Sequence, residues 1–340
     1  MTTKQSAPWK LSRNGWVIGS RKKGPFGLTN QGGHGRLKTK MCTNYTTLGE
    51  WNQLPLHKQQ ELLRTPGDGR PLNPTRKTIG WADVSLNIIT GCLHECPYCY
   101  AAKIAARKLS DHPPFDQPAI WPARLERLSQ NLGQVSGKRI FWGSAADIFG
   151  DWVPAAWLKA IADAIIACDA ELEKRDKKLP THIFLTKNPY RYNSPELRDL
   201  WAKPNVWFGA TVDTQVRWNE SYDALKELAH QNYSPRHSQF DSVPNIWLSM
   251  EPLLTAIDFG DFGWFIKQIV IGAQTGAGAK PPERQWVEAI LKKATFNPTP
   301  IGVWIKDSLG YHQEVKYWYN LDDYGNVVIS TENKEAHDET

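Results

Sequence analysis

From Ile79 onward the chain alternates short apolar runs with stretches in which apolar residues recur every three or four positions. The runs are Val84–Ile89, Ile140–Trp142, Ile183–Leu185, Val206–Ala210, Ile246–Met250, Ile269–Ile271 and Val303–Ile305. Short apolar runs bounded by polar positions predict strands. Between them Tyr100–Leu109, Pro122–Asn131, Pro154–Glu173, Glu196–Ala202, Trp218–His230 and Glu283–Thr295 carry helical periodicity. Pro154 and Pro282 stand at or just before two of these starts, where a missing N–H costs nothing. Strands alternating with helices predict βαβ units, a parallel sheet and the α/β class. About seven such units suit a parallel (β/α) barrel of partial TIM-barrel type. A doubly wound open sheet is the competing arrangement, because periodicity does not separate the two.

The flanks read differently. Residues 1–78 are rich in glycine, proline and polar residues, with one helix-like run near Gly49–Arg64. At the other end, Val315–Tyr319 and Val327–Ser330 flank a glycine-containing loop and predict a β-hairpin, followed by a polar, acidic tail. The pattern thus divides the chain into an N-terminal extension (1–78), a (β/α) body (79–310) and a hairpin with tail (311–340).

Charge sharpens the first boundary. Residues 1–80 hold 14 Lys plus Arg against 3 Asp plus Glu, whereas the remainder holds 27 against 32. The positive charge gathers at Arg21-Lys22-Lys23 and at Arg36, Lys38 and Lys40, interleaved with glycines. A basic, glycine-rich segment predicts either a phosphate-seeking arm for nucleic acid or a solvated tail. No apolar stretch approaches the roughly 20 residues of a membrane span, so no membrane partner is expected. Met1–Lys10 is polar with no apolar run behind it, which predicts a cytoplasmic chain with reduced thiols. Sixteen tryptophans promise a heavily aromatic core.

Five cysteines are present, and three of them crowd into Gly91-Cys92-Leu93-His94-Glu95-Cys96-Pro97-Tyr98-Cys99-Tyr100. Cys92, Cys96 and Cys99 lie within eight residues, so one short loop can turn all three toward a single metal centre. Three thiolates without a fourth leave a coordination position open, the mark of a reactive rather than a purely structural site. Zinc remains an alternative, with His94, His112 or Cys42 completing the set. A disulfide is the other, disfavoured by the odd cysteine count.

Ligands of parallel β/α folds sit beyond the C-terminal ends of the strands. Here those exits carry Gly143, Ser144 and Asp147; Thr186 and Lys187; Thr211, Asp213 and Gln215; Ser249, Glu251 and Pro252; Gly272, Gln274 and Thr275; and Lys306 and Asp307. The glycine-rich run from Gly272 to Gly278 lets backbone approach a ligand, but does not fit a dinucleotide fingerprint.

The CxxxCxxC spacing with Tyr98 before the last cysteine resembles the radical S-adenosylmethionine (SAM) enzymes. That resemblance implies a [4Fe-4S] cluster on Cys92, Cys96 and Cys99, with SAM on the fourth iron and a flavodoxin- or ferredoxin-type protein as reductant. It implies that Tyr98, Ser144, Asp147, Lys187, Asp213 and Glu251 surround SAM, with Gln274 and Lys306 toward a substrate. The strings Ile79-Gly80-Trp81-Ala82-Asp83, Asp147-Ile148-Phe149, Leu185-Thr186-Lys187-Asn188-Pro189, Asn205-Val206-Trp207-Phe208-Gly209 and Ser249-Met250-Glu251-Pro252-Leu253 are also similar to the phage Gp37/Gp68-type, radical SAM-like family. That likeness runs from about Ile79 to Asp307. Two departures stand out. Gly143-Ser144-Ala145-Ala146-Asp147 replaces the Gly-Gly-Glu-like run that grips the SAM ammonium, and Ala273-Gln274-Thr275-Gly276 lacks the carboxylate of the family's Gly-Glu-Ser-Gly. The implied function is hydrogen abstraction from a substrate, nucleic acid or nucleotide on the strength of the basic arm. A peptide or protein substrate, and a zinc-stabilised nucleic-acid-binding protein without catalysis, are the alternatives. No catalytic residue is assigned.

Overall fold

Seven strands run parallel in the body: β1 (Val84–Leu86), β2 (Arg139–Trp142), β3 (Thr181–Thr186), β4 (Val206–Thr211), β5 (Asn245–Met250), β6 (Ile266–Ile271) and β7 (Gly302–Ile305). An eighth, Asn73–Pro74, pairs antiparallel with β1 at one edge. The computed structural model describes residues 45–108, 112–231, 243–260, 263–276, 278–297, 301–310, 317–321 and 327–331. The basic arm, Cys42, the acidic tail and the hairpin loop lie outside the described residues.

The strands lie across the sheet in chain order, from β1 to β7, without a reversal. A doubly wound sheet reverses at its switch point; this one winds in a single direction. Among the described residues no ladder joins β7 to the Asn73–Pro74 edge, so the sheet is not a hydrogen-bonded ring. It nevertheless curls. Trp81, just before β1, packs edge-on against Trp247 of β5 with ring centroids 5.1 Å apart. A Cβ on Gly80 would meet Trp304 of β7 at 3.6 Å.

Both faces of the sheet are buried. The concave face collects Trp81, Phe141, Ile183, Trp207, Trp247, Val270 and Trp304. The convex face packs Phe184, Phe208, Leu248 and Ile271 against the helices. This is why β4 and β5 read as unbroken apolar runs rather than as alternating ones. We number the longer helices α1 (Tyr100–Lys108), α2 (Ala155–Lys174), α3 (Gln215–Gln231) and α4 (Arg284–Thr295). In α2 the buried side chains Trp157, Leu158, Ile161, Ile165, Cys168 and Leu172 fall on one face at helical spacing.

Three expected helices break. Gly49–Arg64 is two helices, Leu48–Gln53 and Leu56–Leu63, because Pro55 lacks the N–H to continue the first. Pro122–Asn131 becomes a 3-10 turn, Pro122–Arg124, and a short helix, Arg127–Gln130. Asn131 ends it in a non-helical backbone with its amide donating to the carbonyls of Arg127 and Arg70. Pro195–Leu197 is likewise 3-10 before the single turn Arg198–Trp201. At the C-terminal side, β8 (Tyr317–Leu321) and β9 (Val327–Thr331) pair antiparallel as the expected hairpin, Val315 and Lys316 lying outside the described residues, and β8 lies beside β7.

Residues 45–78, grouped by sequence with the extension, pack on the body. Trp51 is buried and meets Trp157 of α2 edge-on at 5.6 Å. Thr46–Thr47, Ala119–Ile120 and Ile89–Thr90 form a small antiparallel sheet. This sheet pins the start and end of the excursion 91–118, which contains all three clustered cysteines.

Candidate functional site

Gly91 opens that excursion with φ +87°, a left-handed backbone that favours glycine. A Cβ there would stand 2.9 Å from the Phe115 carbonyl and 3.0 Å from Pro118 Cα. The Cys92 amide donates to the same Phe115 carbonyl at 2.8 Å, and the Cys99 amide to the Cys96 carbonyl at 3.0 Å. Glu95 also takes φ +51°, unusual for a residue with a side chain. The chain then enters α1, where the Ala102 amide points at Cys99 Sγ at 3.4 Å. Cys92, Cys96 and Cys99 are half-buried free thiols. Burial, with the charges of Asp147 and Cys96 adding to it, pushes the Cys92 thiol up to about 11. Burial raises Cys96 too, and the Lys187 ammonium works against that rise. Among the described residues no three His, Cys, Asp or Glu side chains converge as they would on one metal ion.

Two side chains fasten this loop to the strand exits. His94 Nε2 lies 2.7 Å from Asp147 Oδ2. Asp147, 6% exposed, also accepts from Thr186 Oγ1 at 2.8 Å and from the Phe149 and Lys187 amides at 3.0 and 2.9 Å. Burial opposes its ionisation, but His94 and the other donors outweigh burial and hold the carboxyl below its usual range. Its lone pairs are taken, so Asp147 is a loop anchor and leaves nothing for a ligand. The second fastening is Tyr98, whose hydroxyl donates to Asp213 Oδ2. Lys187 Nζ sits 3.9 Å from the same carboxylate and 5.4 Å over the Tyr98 ring, and Arg217 Nε lies 3.6 Å from Asp213 Oδ1.

A second cluster stands at the exits of β5 to β7. Glu251 Oε2 accepts from Trp81 Nε1 at 3.4 Å and from Ser249 Oγ at 3.3 Å, and Oε1 lies 3.0 Å from Lys306 Nζ. Burial raises the Glu251 carboxyl above its ordinary value; Lys306 opposes the rise. A Cβ on Gly272 would crowd Glu251 Oε1 at 3.0 Å and Lys306 Cδ at 3.2 Å, so glycine is what admits the pair. Glu251 Oε1 and Arg217 Nε are both buried without a hydrogen-bond partner. Each lies within ion-pair reach of an opposite charge without a hydrogen bond to it, Glu251 Oε1 at 3.0 Å from Lys306 and Arg217 Nε at 3.6 Å from Asp213. At the rim one acceptor and one donor are therefore ion-paired but not hydrogen-bonded.

Residues 76–316 match the family described as "Protein of unknown function (DUF5131)". The chain belongs to that family. The match spans β1 to β7 and the whole cysteine excursion. No curated protein and no solved structure matches the chain.

In this DUF5131 chain the rim thus gathers Tyr98, Lys187 and Asp213 near Cys96, and Glu251 and Lys306 in a second cluster. Ser144 borders the loop through its neighbours: its hydroxyl meets Asn87 Oδ1 at 3.1 Å, and its carbonyl accepts from the Tyr100 hydroxyl. Gln274 is partly exposed on the loop after β6 and joins neither cluster. Sequence reasoning gives Arg217 no role and His94 only that of a zinc ligand. Arg217 carries a signal, since it lies four residues after Asp213 on the first turn of α3; the partner of His94 lies 53 positions away. Asn87 belongs to the stretch that carries the family resemblance, but its contact with Ser144 is visible only in the fold. Of the other zinc donors, Cys42 lies outside the described residues and the ring of His112 packs against Trp121 at 4.7 Å; the remaining cysteine, Cys168, is buried in α2.

Proposed function

We propose that this protein is a radical SAM enzyme in which Cys92, Cys96 and Cys99 hold a [4Fe-4S] cluster and SAM lies on the adjoining strand exits. The observation that carries this reading is a set of three unpaired thiols on one loop at the C-terminal rim of a parallel sheet. His94, the nearest fourth donor, is engaged by Asp147. A cube-shaped cluster bonds each sulfur to a different iron, so convergence of the thiols on one point is not required of it. The singly wound, curled sheet is read as a partial (β/α) barrel whose open mouth is that rim.

When bound, the cluster supplies the electron that cleaves SAM and starts hydrogen abstraction from the substrate. The chain's own residues do the rest. Asp147, through His94, and Asp213, through Tyr98, hold the two halves of the cysteine loop against the sheet. Glu251 Oε1 offers an acceptor suited to an ammonium, and Arg217 Nε a donor suited to a carboxylate. A bound ammonium would share Glu251 with Lys306, and a bound carboxylate would share Arg217 with Asp213, which Lys187 keeps paired. The indoles of Trp81, Trp247 and Trp304 fill the concave face behind the rim and exclude water from it. The substrate is a nucleic acid or nucleotide, a reading supported by the excess of cations over acids in residues 1–80. A flavodoxin- or ferredoxin-type protein is the electron donor.

The test is anaerobic reconstitution followed by reductant and SAM. The expected result is 5'-deoxyadenosine formed by the full-length protein and none by Cys96→Ala. A preparation carrying one zinc per chain, no iron and no such product would overturn the proposal in favour of a zinc-stabilised binding protein.

A further inference from the structure

Beside the cysteine loop and α1 lies a cleft of about 550 Å³ that shares Ser144 with the residues expected around SAM and is otherwise unused by the proposed chemistry. Its size falls in the range of small-molecule sites. Its lining includes Arg70, Arg124 and Arg127 and, among the described residues, no Asp or Glu. Among the described residues the carboxylate engaged with these arginine side chains is Asp68, which takes Arg127 in a two-pronged pair at 2.8 and 2.6 Å. Arg124 spends one N–H on the Asn87 carbonyl at 2.6 Å and lies 3.8 Å over the Trp121 ring. Neither it nor the exposed Arg70 has a carboxylate partner of its own among the described residues. Burial, and then the charge of Arg127, lowers the Arg124 guanidinium to about 10; Asp68 opposes that shift and Arg70 adds to it. Three guanidinium groups thus share the Asp68 carboxylate, so an incoming anion adds counter-charge, and guanidinium forks suit phosphate oxygens.

The rest of the lining is apolar. Ile104 of α1 is 49% exposed in the cleft wall and offers an apolar surface there. Ala105, Pro113 and Phe115 continue that wall. Cations and apolar side chains lining one cleft suit a phosphate joined to a planar base.

We propose that this cleft binds a nucleoside phosphate, with the phosphate between Arg70 and Arg124 and the base against Ile104 and Phe115. Gly91 and Tyr100, which flank the cysteines, also line it. The bound group therefore lies one wall away from Cys92 and Cys99. The site deepens the substrate half of the proposed function and rests on nothing in its iron half. Binding measured without reductant or SAM can fail while SAM cleavage succeeds, and the reverse.

The test is calorimetric titration of the full-length protein with AMP, adenosine, inorganic phosphate and a short single-stranded oligonucleotide. AMP is expected to bind at least about tenfold more tightly than adenosine or inorganic phosphate, the weight of one charge-assisted contact. The oligonucleotide arm separates the two sources of the phosphate: tighter binding than AMP points to a polynucleotide, weaker binding to a free nucleotide. Arg70→Glu and Ile104→Glu, both at exposed positions, are each expected to weaken AMP by a similar factor with the thermal midpoint unchanged. Equal binding of AMP and adenosine would overturn the proposal, as would phosphate binding as tightly as AMP. So would affinity untouched by both substitutions, which would move the anion to the basic N-terminal segment.

Discussion

Gly91 is the residue on which the cysteine loop turns. Any side chain there meets both a left-handed backbone and the carbonyl of Phe115 at 2.9 Å. The backbone alone costs about 1–2 kcal/mol for a non-glycine residue. Gly91→Ala is therefore expected to lower the thermal midpoint and, because Cys92 is the next residue, to cut iron retained per chain well below that of the unaltered protein. Iron content equal to wild type would show that the loop's shape is set elsewhere. A second residue-scale prediction concerns Asp169, 1% exposed in α2. Trp142 Nε1 donates to His182 Nδ1 at 3.2 Å, so the hydrogen on Nε2 faces Asp169 Oδ1, also at 3.2 Å; Lys203 Nζ stands 2.9 Å from Oδ2. Burial raises the Asp169 pKa, but His182 and Lys203 outweigh it, and the net shift is downward. A lowered carboxyl contributes stability above its unfolded pKa and loses it as pH falls through the folded value. Denaturation of Asp169→Ala should thus show a loss of about 3 kcal/mol at pH 7, since the Lys203 ammonium and the buried His182 N–H lose their partner. The gap from wild type should shrink below pH 4; a gap independent of pH would refute the assignment. At this scale the cysteines were legible because their spacing is local. The His94–Asp147 and Glu251–Lys306 pairs were not, since each joins residues more than fifty positions apart, and only the folded sheet makes them neighbours.

The strands were legible where both faces are apolar and blurred where a polar residue enters the ladder. β6 was expected at Ile269–Ile271 but starts at Ile266, because Lys267 and Gln268 interrupt the apolar run. Lys267 reaches Asn245 Oδ1 at 2.7 Å and the amide of Gln268 donates to the Ile269 carbonyl at 3.2 Å, so both are accommodated without breaking the strand. The broken helix at residues 122–131 was illegible for the opposite reason. Its periodicity is helical, but Arg124 and Arg127 are drawn to Asn87 and Asp68, partners beyond the reach of periodicity. Strand β4 depends on an absent side chain. The indole of Trp247 on β5 lies over Gly209 and donates to the Phe184 carbonyl at 3.0 Å. A Cβ on Gly209 would stand 2.3 Å from that indole and 2.6 Å from that carbonyl. Gly209→Ala is expected to cost about 3 kcal/mol, the upper end of overpacking, read as a fall in the denaturant midpoint. A midpoint unchanged within error would mean the concave face repacks freely.

For the molecule as a whole, winding direction decided what periodicity left open. Strands in chain order make a singly wound sheet, and its curl brings Trp81 onto Trp247 and Trp304 near Gly80. All seven strand exits then face one rim, the arrangement that lets residues from Cys92 to Lys306 share a site. Among the described residues no helix is long and apolar enough to cross a membrane. The central claim is that three sulfurs on one loop hold an iron–sulfur cluster with a position left for SAM. It is tested most directly by low-temperature electron paramagnetic resonance of the reconstituted, reduced protein with and without SAM. The account predicts a [4Fe-4S]⁺ signal whose g values shift when SAM is added and which is absent from Cys96→Ala. A signal indifferent to SAM, or no cluster signal from a protein that retains all three cysteines, would contradict it.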